Sequence, residues 1–200
     1  MVQGDDDLVR ALRDGELGAF KALYARHHQA MLRIARQVLG HHEDAEDAVQ
    51  DAFLSVYRTV RRFRGDAAFT TWLYRIVVTS SLKLRRRRRS CPETPESAAA
   101  VGDPRAADAA CLDLRSALRQ EIAALPLRQR MVFALTEVEG FEPREVARIL
   151  GLEPGTVRYH LCMAKTKLRH RLRPVLEADA TERRVEAPCA PAGGRDAPRS

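Results

Sequence analysis

Residues 141–161 read FEPREVARILGLEPGTVRYHL, and this stretch decides the fold class. Pro143 and Pro154 each stand where a helix tolerates proline, in its first turn, where the missing N–H has no intrahelical partner to lose. Gly151 suits the left-handed residue that closes the first helix. Val146, Ile149 and Leu150 fall at i, i+3 and i+4, and Val157, Leu161, Ala164, Leu168 and Leu172 continue at three- and four-residue steps. Two short amphipathic helices joined by a glycine turn are the outline of a helix-turn-helix, whose second helix enters the major groove of DNA. Outward on that helix stand Thr156, Arg158, Tyr159, Cys162, Met163 and Lys165, which include donors for base edges and phosphates. An ordinary helical hairpin in a packed bundle produces the same apolar pattern and is the plain alternative.

Working outward, no strand pattern competes, and the class expected is all-α. Helices are expected at Asp7 to Arg13, Leu17 to Leu39, Asp44 to Phe63 and Phe69 to about Arg89, with breaks at Gly40 and Gly65. In the second of these Phe20, Leu23, Tyr24, His27, Met31, Ile34, Ala35 and Val38 keep a helical stripe. Residues 90–112, SCPETPESAAAVGDPRAADAACL, are rich in Pro, Ala, Ser and acid without periodicity and read as a flexible linker. Helices resume near Leu112 to Ala124 and Pro126 to Val138, ahead of the helix-turn-helix. The expected organisation is therefore an N-terminal helical domain over 1–89, a linker over 90–112, a C-terminal helical domain over 113–173, and a disordered tail over 174–200.

Charge narrows the partners. The net charge of +7 hides a sharper division: residues 8–89 carry 17 Lys or Arg against 8 acids, residues 113–173 carry 12 against 7, and residues 90–112 carry one Arg against 4 acids. Basic domains flanking an acidic spacer suit a polyanion, because each neutralised phosphate releases counterions. Thirty of the 34 basic residues are Arg, which suits bidentate phosphate and guanine contacts and equally follows from a GC-rich genome. No stretch approaches the roughly 18 to 20 apolar residues of a membrane span, and the acidic GDDD start does not suit a signal peptide, so a cytoplasmic location is expected. Cys91, Cys111, Cys162 and Cys189 lie far apart without CxxC spacing or a nearby His, so neither metal site nor disulfide framework is expected, and no cofactor.

Two upstream segments carry the remaining chemistry. In DAEDAVQDAFL, Asp44 is a sound N-cap and its neighbours suit the positive end of a helix, yet Asp47, Gln50, Asp51 and Leu54 recur at i, i+3, i+4 and i+7 as a strip that a partner helix could grip. In FTTWLY, Phe69 and Trp72 precede a helix that ends in Arg85, Arg86, Arg87, Arg88 and Arg89. Unstacked bases gain about 1 to 3 kcal/mol each by stacking on aromatic rings while Arg holds the phosphates, so this segment suits melted DNA. Burial of the same rings in a core is the competing reading, and a solvated basic collar that for the arginines.

Taken in order, DAEDAVQDAFL, FRGDAAFTTWLYRIV, LPLRQRMVFALTEVEGF and EVARILGLEPGTVRYHL resemble the successive signatures of the extracytoplasmic-function (ECF) sigma factors of bacteria. The resemblance covers about residues 8–89 and 113–173. It implies a dissociable subunit of RNA polymerase with no catalytic residue of its own. Core polymerase and promoter DNA are the implied partners, with an anti-sigma protein as a further candidate. By position, Asp47, Gln50, Asp51 and Leu54 would meet the clamp coiled coil of the largest polymerase subunit. Phe69, Trp72, Thr79 and Lys83 would face the melted minus-ten strand, with Arg85 and Arg86 of the collar on phosphates. Arg158, Tyr159 and Cys162 would face bases of the minus-thirty-five element, with Thr156, His160, Met163 and Lys165 near the backbone.

The chain also departs from the family. Thr79 stands where Asn is common, and its hydroxyl lacks the paired donor and acceptor of an amide. Tyr159, His160 and Met163 replace a Ser-Arg pair and a later Arg, which removes fixed charge from the recognition helix, and Glu142 replaces a Ser-type cap. A stand-alone helix-turn-helix regulator with an N-terminal sensor or dimerisation domain is the second reading, though it has no need of an aromatic and arginine helix. An enzyme acting on nucleic acid fares worst, since no His and carboxylate set has the spacing of a reactive site.

Overall fold

The computed structural model describes residues 4–90 and 109–185, and those residues hold helices and no strand. In order they are α1 (Asp5–Arg13), α2 (Leu17–Leu39), α3 (His42–Thr59) with a 3-10 turn over Val60–Arg62, α4 (Phe69–Ser90), α5 (Ala109–Ala123), α6 (Leu127–Phe133) running into a π-helical turn over Ala134–Val138, α7 (Pro143–Leu150) and α8 (Pro154–Val185). Gly40 closes α2 at φ 82° and Gly151 closes α7 at φ 64°, both left-handed conformations that a side chain would strain.

Helices α2, α3 and α4 pack with α1 around one core. Leu23, Met31, Val49, Phe53, Val56, Leu73 and Val77 are its centre, each at the inward step of its own helix. Buried His27 ties α1 to α2 through Asp5 Oδ2 at 2.9 Å. At the other end of the chain, Leu125, Ala164, Leu168 and Leu172 bury the middle of α8 against α5. A third cluster crosses between the two halves. Ile34, Val38, Tyr74 and Val78 from α2 and α4 meet Met131, Val132, Leu135, Val146, Ile149 and Val157 from the C-terminal helices.

Several boundaries differ from those read in the sequence, for physical reasons. α3 starts at His42 with extended His41 before it, so Asp44 lies inside the first turn and is not the N-cap. Its carboxylate, only 3% exposed, accepts an ion pair from Arg88 of α4, a partner 44 residues away that no local rule supplies. The segment expected as one helix to Val138 runs as an α-helix only through α6 and then widens into the π turn, where Thr136 donates to the Val132 carbonyl at 2.8 Å. α8 runs through Pro174 to Val185, into the segment read as tail; most of the linker, 91–108, and 186–200 of the tail fall outside the described residues.

Candidate nucleic-acid and partner interfaces

The acidic strip is a true surface of α3. Ala45, Ala48, Val49, Ala52, Phe53 and Val56 take the buried face, and this leaves Asp47, Gln50, Asp51 and Leu54 pointing to solvent. Leu54 is 50% exposed and gives the acidic strip an apolar element. The strip is longer than its sequence reading. Tyr57, three residues on, is 48% exposed and rests edge-on against Phe20 of α2, with ring centroids 5.6 Å apart. Its i, i+3 spacing from Leu54 was the available signal.

Helix α4 divides its candidate residues. Phe69 is buried in an aromatic knot with Phe63 at 5.9 Å, Trp72 at 5.8 Å and His27 at 6.2 Å between centroids. Its ring is therefore a core ring here, as the competing reading allowed. Trp72 is half-buried, tilted against Phe63 at 5.1 Å, and so presents one edge outward. Arg13 holds the knot's rim, with its guanidinium 5.7 Å from the Phe63 ring centroid and donating to the Phe63 carbonyl. Thr79 and Lys83 are exposed on the same helix. The Thr79 hydroxyl donates to the Arg75 carbonyl at 2.7 Å, which uses its proton and leaves its oxygen an acceptor.

The arginine collar is likewise split. Arg85 donates to the Val38 carbonyl at 3.1 Å and Arg88 pairs with Asp44, so these two bind α4 to α2 and α3. Arg86 and Arg87 face solvent. Five arginines in a row span more than one turn, and only part of them can share a face.

In the helix-turn-helix, buried Val146, Ala147 and Ile149 of α7 pack on Val157 of α8. The N–H of Glu142, at the N-cap, donates to Glu145 Oε2 at 3.0 Å, so a glutamate pair caps α7 without a Ser. Arg158, Cys162 and Lys165 form an exposed stripe at i, i+4 and i+7, flanked by Tyr159, which is 61% exposed. Thr156, His160 and Met163 are half-buried at its edges. His160 stacks beside Tyr159 at 5.6 Å, and its Nδ1 has no hydrogen-bond partner. Lys165 is held by Glu137 at 2.8 Å, which offsets part of its charge. Among the described residues no group of three or more His, Cys, Asp or Glu side chains could hold a metal ion, and no helix is long and apolar enough to cross a membrane.

The family model for Sigma-70 region 2 matches residues 23–91, which contain the α3 strip and α4, and that for Sigma-70 region 4 matches residues 115–168, which contain the helix-turn-helix. The ECF RNA polymerase sigma factor SigM of Mycobacterium tuberculosis is 36% identical over 167 residues, covering 83% of each chain. The chain belongs to the ECF sigma factors. The ECF sigma-E factor of Escherichia coli is 32% identical over 185 residues, covering 86% of this chain and 96% of that one. The structure of CnrH in complex with the cytosolic domain of CnrY matches with a TM-score of 0.64 and 28% identity, covering 85% of this chain and 97% of the other. As an ECF sigma factor the protein is a promoter-specific transcription initiation factor, and the stand-alone regulator is the less favoured reading.

Proposed function

We propose that the protein's three outward surfaces divide the work of initiation. The α3 strip of Asp47, Gln50, Asp51 and Leu54, extended by Tyr57, engages core RNA polymerase. The outer face of α4, with Trp72, Thr79, Lys83 and Arg86, receives the melted minus-ten strand, while Phe69 and Arg85 act behind it by shaping the helix's seat. The stripe of Arg158, Tyr159, Cys162 and Lys165, with Thr156, His160 and Met163 beside it, reads the minus-thirty-five element. The observation that carries this is the exposure, on one body, of an acidic-apolar strip on α3, a basic face on α4 and the outer stripe of α8. Acid that repels DNA sits where a protein partner is needed, and basic side chains stand where phosphates would lie.

The protein supplies binding energy and no chemistry of its own; bond formation belongs to the polymerase, in whose cytoplasmic compartment it acts. No cofactor enters this scheme. CnrH was solved with a protein partner, and an anti-sigma protein seated on this fold is the corresponding partner here. The test is transcription from a linear promoter by core polymerase with and without the purified protein. Transcripts that depend on the protein support the reading. Tight duplex binding without core association or transcripts overturns it in favour of a stand-alone regulator.

A further inference from the structure

Helix α1 takes no part in the three surfaces above, yet its last residue reaches the aromatic knot. Arg13 closes α1, and its Nε donates to the Val60 carbonyl at 3.3 Å while its Nη2 donates to the Phe63 carbonyl. The guanidinium carbon also lies 5.7 Å from the centroid of the Phe63 ring, within cation-π range. One planar group thus makes three contacts with a segment 47 and 50 residues further along the chain.

That segment needs an outside partner. The 3-10 turn over Val60–Arg62 ends at Phe63, whose backbone is extended, and no regular element follows until α4 begins at Phe69. The N–H of Phe63 donates to the Val60 carbonyl at 3.1 Å, but the Phe63 carbonyl lies past the last turn, where helical N–H groups run out. Gly65 follows at φ 81°, a left-handed residue with no side chain to pack. Arg13 supplies the missing donor from a firm base, since Leu8, Val9 and Leu12 bury α1 and Asp5 ties its other end to His27 at 2.9 Å.

Phe63 matters because of what leans on it. Its ring meets Trp72 at 5.1 Å with 39° between planes and Phe69 at 5.9 Å. Phe69 is buried, whereas Phe63 and Trp72 are both half-buried, so the outward pose of the indole depends on where Phe63 stands. We infer that Arg13 is a positioning residue for promoter melting, holding Phe63, and through it the Trp72 indole, in the pose that receives an unstacked base. This inference rests on the role given to Trp72 above. Arg13 itself has no need to touch DNA.

Trp72 is the only tryptophan in the chain, so its fluorescence reports that pose directly. The full-length protein is compared with Arg13→Ala, Arg13→Lys and, as a control, Val9→Ala, which weakens the seat of α1 but keeps the arginine. All are measured below their thermal transitions. Arg13→Ala should move the indole emission to longer wavelength and raise its quenching by acrylamide, because the Phe63 ring no longer shields one face. Open complexes with core polymerase, counted as permanganate-reactive thymines, should fall roughly three- to tenfold, part of what one stacked base contributes, with core binding within about twofold. Arg13→Lys keeps the charge but lacks the planar fork, so both readouts should lie between native and alanine; it also serves if alanine fails to fold. Val9→Ala should lower the thermal midpoint and leave emission and melting native-like. Native-like emission in both Arg13 variants overturns the inference, as does a shifted emission with undiminished melting, or the same shift in Val9→Ala. Those results leave the initiation reading untouched, since it fails only if the native protein starts no transcripts with core polymerase.

Discussion

Replacing Trp72 by alanine separates two roles that one side chain holds. Its indole tilts against Phe63 at 5.1 Å and Phe69 at 5.8 Å, yet it is only half-buried. Truncating a fully buried aromatic costs about 3 to 5 kcal/mol, so a partly exposed one should cost about 2 kcal/mol. Loss of two ring pairs, each worth about 0.5 to 1.5 kcal/mol, gives about 1 to 3 kcal/mol and brackets that figure. For a domain of this size such a loss lowers the melting midpoint by roughly 8 to 16 °C. Stacking of one melted base contributes about 1 to 3 kcal/mol, so its removal should reduce open complexes by roughly 5- to 150-fold. The two effects are comparable, and a single assay at growth temperature would confuse them. Trp72→Leu distinguishes them, because leucine refills much of the space beside Phe63 and offers no ring to a base. At 20 °C, with folding verified by circular dichroism, both variants should bind core polymerase within twofold of the native protein. Both should show a large loss of permanganate-reactive thymines in the minus-ten region. Native-like thymine reactivity with Trp72→Leu would refute the reasoning and assign Trp72 to the aromatic knot alone.

Charge reversal at the strip, Asp51→Arg, should weaken core association about tenfold in a pull-down while leaving the thermal midpoint within a degree or two, since the residue is exposed and makes no packing contact that burial would reveal. At the recognition helix, Arg158→Ala should cost about 1 to 3 kcal/mol against its preferred base and flatten discrimination at that position, measured by binding to single-base promoter variants. Glu137→Ala should act oppositely and without sequence preference: releasing Lys165 from its 2.8 Å pair makes the ammonium available to a phosphate, which steepens the salt dependence of duplex binding by up to about one unit. Alkaline pH should weaken the hydrogen bond from the Tyr74 hydroxyl to Glu139 Oε2. Burial first and the Glu139 charge second raise the Tyr74 phenol, while Arg33 lowers it by less. The unfolded tyrosine loses its proton near about 10 and the folded one later, so this contribution to stability is complete below about pH 10 and declines as pH rises beyond it. Tyr74→Phe should flatten that alkaline limb in denaturant titrations; an unchanged slope would assign it to other tyrosines.

Much of the local structure was legible because its causes are local. The stripe from Phe20 to Val38 predicts α2 to the residue, since a 3.6-residue period bounded by Gly40 needs no distant information. Pro143, Gly151 and Pro154 mark the helix-turn-helix because ring closure and the absent Cβ act on their own dihedrals. The α3 strip was readable for the same reason, as polar residues at helical spacing opposite an apolar face. The arginine run was less legible. Each of its members looks alike in sequence, and whether one meets solvent, the Val38 carbonyl or Asp44 depends on which helix lies beside it.

Most helices, their buried faces and the exposed strips of α3 and α8 were written in the sequence, because these follow from periodicity and from residue-specific backbone preferences within a few turns. Only the tertiary structure decided that Phe69 turns inward, that Asp44 is a buried ion-pair partner rather than a cap, and that Glu139 joins Arg33 and Tyr74 across 106 and 65 residues of chain. Those pairings depend on relative helix positions set by the sum of many packing contacts. A charged group announces in sequence that it needs a partner, but burial and geometry choose which one.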